Sequence, residues 1–244
     1  SDCSSTGIDL VGCHNGIIIN NYIYDVGHGA QIKGGSSNVT VHGNLFENIN
    51  SRGVNMGGGT GSQFFRPALT GTNDYEALHL RTTSNIFLNP LDGISYTGCF
   101  ECLVANNLFY KPTTRIIRIL RGSQFSGIIL AGNSEYVNNI IVFDNSIVTR
   151  TNVDMDSTKV DEETFRFANN LWYPTGSFDY DSYKGYVPTI EINPIKDLDP
   201  LFVDVSNKNF HLQSQSPAIG SGEPGLVNTD FDGNCFGNDN NIGP

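Results

Sequence analysis

Short runs in which apolar and polar residues alternate recur along the chain, and glycine, asparagine or serine closes each run. Residues 29–55 contain one complete unit, with strands predicted over 29–34, 39–41 and 44–46 and the next unit starting at 53–56. Alternation with a period of two is typical of strands, and Gly and Asn mark the tight turns between them. A repeat of about 22 residues with three short strands predicts an all-β fold, a right-handed single-stranded parallel β-helix.

Two independent columns of residues support this repeat. An asparagine followed by an apolar or aromatic residue recurs at Asn21, Asn44, Asn85, Asn107, Asn139 and Asn170, at spacings of 23, 41, 22, 32 and 31 residues. A short spacing is one bare turn of coil, and a long one is a turn that carries a loop or about two turns. The first strand of each turn recurs at residues 7–10, 29–32, 53–56, 77–80, 93–96 and 116–119.

Asparagine suits a fixed place in each turn for two physical reasons. It tolerates left-handed backbone at a corner, and its amide can hydrogen-bond to the asparagine of the next turn. The leucine-rich repeat is a solenoid of similar period, but its leucine spacing and its helix-forming segments are absent from this sequence.

We expect a single domain over residues 1–244 that lacks N-terminal turns, because a solenoid needs a cap and this chain runs almost directly into a full repeat. Residues 199–244 are expected to form an irregular C-terminal capping segment. An insertion occupies residues 57–76, and insertions in solenoids project from one face, often the binding face. Residues 149–165 predict an acidic, solvated loop.

The charge is unevenly spread along the chain. The net charge is −11, yet residues 28–122 hold eight Lys and Arg against five Asp and Glu, a net of +3 that leaves −14 elsewhere. An acidic body argues against nucleic-acid binding, which uses a basic domain. Its basic stretch suits an acidic polymer as partner. No apolar run is long enough for membrane insertion.

The five cysteines include one candidate redox motif. Cys99 and Cys102 form C-x-x-C, but they lie between two strands of a repeat rather than at a helix start, which favours buried turn cysteines or a local disulfide over redox activity. Cys3 and Cys13 are close enough in sequence to form a bridge.

Strand alternation predicts which side chains leave the coil. The outward column of the first strands is Asp9, Gln31, Asn55, His79, Ser95 and Arg118, and beside it run Val11, Lys33, Gly57, Arg81, Thr97 and Leu120. Neighbouring turns lie ~4.8 Å apart, so six turns present a polar ladder of ~24 Å, the length of a short oligosaccharide.

The residue types on this ladder suit cleavage of a uronate-containing glycan by β-elimination, which needs a neutralised carboxylate, a base and an acid. We expect Lys33, His79 and Arg81 to be catalytic, with Lys33 or His79 as the base. Substrate-binding candidates are Gln31, Arg52, Asn55, Arg66, Arg115 and Arg118. Many glycoside hydrolases use paired aspartates, but this sequence contains no Asp-Asp, so a lyase is favoured over a hydrolase. The tripeptide Gly27-His28-Gly29 also occurs in polygalacturonases, and we interpret it here as a chance match.

The chain resembles the secreted bacterial members of the pectate-lyase-like superfamily. The resemblance rests on the repeat and on the C-terminal elements 199–202, 210–212, 216–220 and 229–234. The segment from Lys33 to Asn38, followed by residues 53–55, also resembles the Lys-Ser…Asn element of the chondroitinase B and alginate lyase family. That likeness implies that Lys33 is the base. The family's arginine falls near Asn55, and Arg52 is three residues away.

These observations predict an extracellular protein that acts on an acidic polysaccharide, most plausibly a lyase. The alternative is a non-catalytic, adhesin-like β-helix that binds glycan or serves structurally. No cofactor is required by the sequence. Calcium is one interpretation of Asp230, Asp232, Asn234 and Asp239, and a turn-rich cap is the other.

Overall fold

The chain forms a parallel β-helix in a computed structural model, which describes residues 5–144, 147, 149–153, 158–176, 187–236 and 241–244. The first sheet consists of β1 (Thr6–Val11), β4 (His28–Lys33), β8 (Arg52–Gly57), β12 (Asp92–Thr97), β16 (Arg115–Leu120) and β19 (Thr149–Val153). The second sheet consists of β2 (Ile17–Ile19), β6 (Thr40–His42), β10 (Arg81–Thr83), β14 (Leu103–Ala105), β17 (Glu135–Val137) and β20 (Arg166–Ala168). The third sheet consists of β3 (Tyr22–Tyr24), β7 (Leu45–Glu47), β11 (Ile86–Leu88), β15 (Leu108–Tyr110), β18 (Ile140–Phe143), β21 (Leu171–Pro174) and β22 (Ile195–Lys196).

Smaller elements lie at the corners and outside the coil. A corner sheet joins β5 (Ser36–Ser37), β9 (Ala77–Leu78) and β13 (Cys99–Phe100), and β23 (Phe202–Asp204) pairs with β24 (Asn209–Leu212) in an antiparallel hairpin. Single 3-10 turns occupy Ser62–Phe64, Glu162–Thr164 and Val205–Asn207. Every strand pair within the first three sheets is parallel, which confirms the predicted solenoid.

The predicted asparagine column is a continuous ladder inside the coil. Its members are Asn21, Asn44, Asn85, Asn107, Asn139 and Asn170, and each Nδ2 donates to the Oδ1 of the next at 2.9–3.0 Å. The carboxylate of Glu191 ends the ladder by accepting from Asn170 Nδ2 at 2.8 Å. The ladder also resolves the spacing of 41 residues, because Asn44 bonds directly to Asn85: this interval is one turn with a loop.

The left-handed backbone lies one residue earlier than predicted. The residues before the ladder asparagines have positive φ, among them Asn20 (φ 55°), Ser84 (φ 51°) and Asn106 (φ 56°). Each corner therefore uses two residues, one for the turn of the backbone and the next for the hydrogen bond. An aromatic column packs beside the ladder, in which Phe87 stacks on Phe46 at 4.9 Å and on Phe109 at 4.7 Å between ring centroids.

The predicted register of the first sheet is wrong at one turn. Asn55 of β8 pairs directly with Ser95 of β12, so residues 77–80 do not form a strand of this sheet. Ala77–Leu78 is instead the corner strand β9, His79 has a left-handed backbone (φ 53°), and Arg81 begins β10 of the second sheet. The reason is that the insertion over 57–76 lies within a single turn, and an apolar-polar alternation continues after it as the turn is completed.

The predicted acidic loop over 149–165 begins with a strand. Thr149–Val153 pairs with β16 and adds a sixth strand to the first sheet, with Thr151 and Val153 buried. Alternating Thr and Val are favoured in strands because β-branched side chains fit a half-buried pleated surface. Glu162–Thr164 forms a 3-10 turn within the same stretch.

The C-terminal segment, expected as the capping element, packs along the side of the coil in its described part. Phe210, Ala218 and Ile242 are buried against Leu108 and Ile140 on the outer face of the third sheet. Further contacts reach earlier turns: Lys208 pairs with Glu47 at 2.7 Å, and Thr229 contacts His42 at 3.0 Å. The outer face of the third sheet is thus covered by the chain itself.

Replacing a central ladder residue, Asn107→Ala, is expected to lower the free energy of unfolding by ~3 kcal/mol or more. The amide of Asn107 donates to Thr82 O, Ala105 O and Asn139 Oδ1 and accepts from Asn85, and each buried group left unpaired costs about 1–3 kcal/mol. Urea denaturation of both proteins measures the difference. Asn21→Ala is the matched control, since Asn21 is exposed at the first position of the ladder, and an equal loss in both variants would contradict the role of burial.

Candidate functional site

Polar side chains on the outer face of the first sheet form a hydrogen-bonded chain across successive turns. Asn55 donates to Gln31 at 3.0 Å and accepts from Thr97 at 2.9 Å, and Thr97 contacts Ser95 at 2.8 Å. Asn55, Ser95 and Thr97 are buried, so the centre of the predicted polar ladder is closed to solvent. Of the two residues predicted here to bind substrate, only Gln31 remains partly exposed.

Two of the predicted substrate-binding arginines pair with one carboxylate, and a third lies beside it on the neighbouring strand. Asp92 is 2% exposed; Arg118 Nη1 lies 3.0 Å from its Oδ2 and Arg115 Nη1 lies 3.5 Å from its Oδ1. Arg52 is the strand neighbour of Asp92 in β8. We call Arg52, Arg115 and Arg118 the arginine cluster. With Asp92 between them, the four groups carry a local charge of +2.

The arginine cluster has unused hydrogen-bonding capacity. The Nε atoms of Arg52, Arg115 and Arg118 are buried and have no hydrogen-bond partner among the described residues, and neither has Asp92 Oδ1. Burial lowers the pKa of Arg52, and the neighbouring Arg118 lowers it further. A carboxylate bound beside Arg52 would relieve both effects, because an opposite charge favours the charged guanidinium.

His28 stands beside this cluster and was set aside by the sequence analysis. Its Nε2 lies 3.4 Å from Ser51 Oγ, and it begins β4 on the turn that precedes Arg52. Burial lowers the pKa of His28, and Arg52 and Lys33 lower it further, against weaker opposing effects of Asp9 and Asp92. The imidazole is therefore neutral at neutral pH and able to accept a proton.

Lys33 lies at the other end of the same strand. Its Nζ is 3.4 Å from Asp9 Oδ2, and its side chain is 19% exposed. The backbone of Gly58 packs on the aliphatic stem of Lys33, since a Cβ at Gly58 would lie 3.1 Å from Lys33 Cδ. The insertion over 57–76 therefore lies against Lys33, on the face that carries the predicted ladder.

The buried carboxylate of Glu76 attaches this insertion to the coil. Its two oxygens accept hydrogen bonds from Gly34 N at 2.9 Å and Thr60 N at 2.8 Å, and from the hydroxyls of Thr60 and Ser123. No sequence motif signals this role, because the partners lie 16 to 47 residues away. Arg66, a predicted substrate-binding residue, lies on the insertion and donates to the carbonyls of Gln63 and Phe65.

His79 and Arg81 lie on a different part of the surface from Lys33. Both line a cavity of about 510 Å³ beside the second sheet, in which His79 Nε2 is 2.6 Å from Glu101 Oε2 and Arg81 donates to Leu226 O. Lys33 does not line that cavity. The structure thus brings Arg52, Arg115 and Arg118 together and separates the three predicted catalytic residues into two places.

The described residues bear out the local disulfide, whereas the calcium interpretation includes one residue outside them. Asp230 accepts from the backbone of Asn234 at 2.7 Å, Asp232 pairs with His211 at 2.8 Å, and Asp239 lies outside the described residues. Within the described part of the chain, no group of three or more His, Cys, Asp or Glu is placed to hold a metal ion. Cys99 of the corner strand β13 and Cys102, which follows this strand, form a disulfide, while Cys3, the expected partner of Cys13, lies outside the described ranges.

Comparisons with known proteins add no family to this description. Neither the family models nor the curated proteins contain a match to the chain.

Among the described residues, no helix has the length and apolarity needed to cross a membrane.

Removal of the central carboxylate, Asp92→Asn, is expected to destabilise the protein by ~2 kcal/mol or more. A buried pair that loses one partner leaves uncompensated charge, here the three guanidinium groups of the arginine cluster. Thermal or urea unfolding measures the loss, and added sulfate should restore more stability to this variant than to the wild type. In the control, Asp9→Asn breaks the more exposed pair with Lys33 and should cost less than ~1 kcal/mol. Equal effects of the two substitutions would contradict the importance of the cluster.

Stability is also expected to fall with decreasing pH below the usual histidine range. Burial lowers the pKa values of His28 and His42 from 6.5, so the unfolded chain binds more protons between the unfolded and folded pKa values. The stabilisation that the two neutral, buried imidazoles contribute is fully present above pH 6.5, the pKa in the unfolded chain. It is lost as the pH falls through the lower pKa values of the folded protein. The pKa of Glu47 is lowered from 4.5, so its effect begins at lower pH. Unfolding free energies measured from about pH 7 to 5 should decline less steeply in His28→Gln, and an unchanged slope would contradict this account.

Proposed function

We propose that the protein binds an acidic, uronate-containing polysaccharide at the arginine cluster and cleaves it by β-elimination outside the cell. The grouping of three arginines around one carboxylate carries this proposal: Arg115 and Arg118 pair with Asp92, and Arg52 is its cross-strand neighbour. Two positive charges remain after Asp92 is counted, and guanidinium groups bind carboxylates through charge-assisted, often bidentate hydrogen bonds. The likeness to the pectate-lyase-like superfamily supports the same substrate class.

The arginine cluster would perform the first task of the reaction. A uronate loses the proton next to its carboxylate, and that step becomes easier when positive charge neutralises the developing enolate. Arg52, Arg115 and Arg118 are each partly exposed, so a ligand carboxylate can approach them. Their Nε atoms are buried without a hydrogen-bond partner among the described residues, so a ligand would bind through the exposed part of each side chain.

Two residues compete for the role of base. His28 is neutral at neutral pH and is influenced electrostatically by Arg52, which places a proton acceptor near the carboxylate-binding group. Lys33 is the base that the likeness to the chondroitinase B and alginate lyase family implies, but its ammonium is paired with Asp9. We propose that His28 is the base and takes the proton next to the carboxylate, and that Lys33, whose charge acts on His28, gives a proton to the leaving oxygen as the C–O bond breaks.

A binding protein without catalysis is the second candidate function. The positions of His79 and Arg81 beside the second sheet favour it, because they leave the first sheet without two of its expected catalytic side chains. In this case the arginine cluster would hold the same acidic glycan, and His28 would have no chemical role.

Incubation with alginate, pectate and glycosaminoglycans tests both functions. A lyase produces an unsaturated uronide, which is detected by its absorbance at ~235 nm. Binding without cleavage is measured by affinity electrophoresis in gels that contain each polymer. We expect Arg118→Gln to weaken binding by about tenfold, the effect of losing one charge-assisted hydrogen bond. His28→Gln should abolish cleavage while leaving binding within about twofold.

The results separate the alternatives. Full cleavage by His28→Gln together with an inactive Lys33→Ala would move the base to Lys33. Binding that depends on Arg118 without any absorbance change would establish the binding protein. Absence of both binding and cleavage across all three polymer classes would refute the proposed function.

A further inference from the structure

A groove beside the second sheet forms a second candidate site, separate from the arginine cluster. Its volume is about 510 Å³, within the range of small-ligand sites. The floor consists of Thr40, Arg81, Leu103 and Glu135, which are cross-strand neighbours in β6, β10, β14 and β17. Three steps of ~4.8 Å between these strands give the floor a length of ~14 Å. Gly225 and Leu226 of the C-terminal segment form the opposite wall.

The near wall is a column of corner residues with left-handed backbone. Asn38 (φ 54°), His79 (φ 53°), Glu101 (φ 52°) and Asn133 (φ 48°) occupy equivalent places in four successive turns, and all four line the groove. Asn, Asp and His are enriched in this conformation, whereas most other non-glycine residues adopt it at a cost of roughly 1–2 kcal/mol. The two central positions carry a histidine and a glutamate, whose side chains pair at 2.6 Å and are about half exposed toward the groove.

The charged groups of the groove are already paired within the protein. His79 pairs with Glu101, Arg81 donates to Leu226 O, and Glu135 is 2.6 Å from Arg166, which also binds Glu223. The two guanidinium groups of Arg81 and Arg166 and the three carboxylates of Glu101, Glu135 and Glu223 sum to a formal charge of −1, which does not attract an acidic ligand. Paired carboxylates keep free lone pairs for hydroxyl donors, and the amides of the corner residues can donate and accept.

Apolar surface completes the lining. Leu80, Leu103 and Leu226 lie among the polar groups, so the groove offers hydrophobic contact next to hydrogen-bonding groups. This combination fits a sugar ring, which has hydroxyl groups around its edge and C–H groups on its faces. An acidic ligand gains little here, in contrast to the arginine cluster.

We propose that this groove binds a short neutral oligosaccharide, with His79 and Glu101 as its central hydrogen-bonding residues. The protein would then recognise two kinds of sugar on two faces, acidic units at the first sheet and neutral units at the second. The inference does not rest on the proposed lyase activity, because none of the groove residues belongs to the arginine cluster.

The proposal is tested by titrating the protein with soluble xylo-, manno-, cello- and galacto-oligosaccharides of two to four units. Saturation-transfer NMR and calorimetry detect the binding. We expect at least one series to bind, and His79→Asn and Glu101→Gln each to weaken its binding by about tenfold. His79→Asn places the residue favoured by left-handed backbone at its corner, so the variant should fold normally. Arg118→Gln is the matched control and should leave neutral binding within about twofold.

Three outcomes would overturn the proposal. In the first, no neutral series binds to the protein. In the second, the wild type and both groove variants bind the neutral sugars equally well. In the third, the groove variants lose binding only of acidic oligosaccharides. Binding of acidic polymers at the arginine cluster is measured separately with Arg118→Gln, so failure of one site is distinguishable from failure of the other.

Discussion

The buried asparagine ladder is the interaction on which the other features of this fold depend. Each rung satisfies backbone groups of its own corner and joins it to the next turn, so it fixes both the shape of the turn and its vertical register. A buried amide without its hydrogen-bond partner is costly in free energy. Because a shift of the strand register by one residue would break every rung at once, the ladder disfavours such a shift. The ladder therefore holds the strands in register across loops as different as residues 57–76 and the short corners between the second and third sheets.

The repeat was predictable from sequence because its signals are local: alternation, corner residues and asparagine recur within about 22 residues. The register at residues 77–80 was not, because a spacing of 41 residues fits one turn or two equally well. The hydrogen bond from Asn44 to Asn85 and the pairing of Asn55 with Ser95 both show a single turn, which displaces His79 and Arg81 from the first sheet. Local alternation around His79 imitates a first strand although the residue turns a corner.

The arginine cluster could be predicted from the sequence only in part. Arg52, Arg115 and Arg118 were predicted to serve one face because they precede or lie in equivalent strands. The buried Asp92 between them and the neutral His28 beside them were missed, since each lies 23 or more residues from its partners and depends on correct turn assignment. One signal was present: Arg52, Asp92 and Arg115 occupy the same position relative to the following apolar strand, one residue before its first apolar or glycine position.

The third sheet explains why the candidate sites lie where they do. Its strands carry apolar residues on both faces, for example Leu108 outside and Phe109 inside, a pattern expected of strands that are buried on both sides. The C-terminal segment covers that outer face, and its edge at Gly225 and Leu226 reaches the second sheet and forms one wall of the groove. The first sheet instead carries charged residues on its outer face, bordered by the insertion that Glu76 holds in place. The C-terminal segment thus covers the third sheet and part of the second, and the first sheet presents a charged surface. Two chemically different surfaces of one coil therefore remain open to ligands.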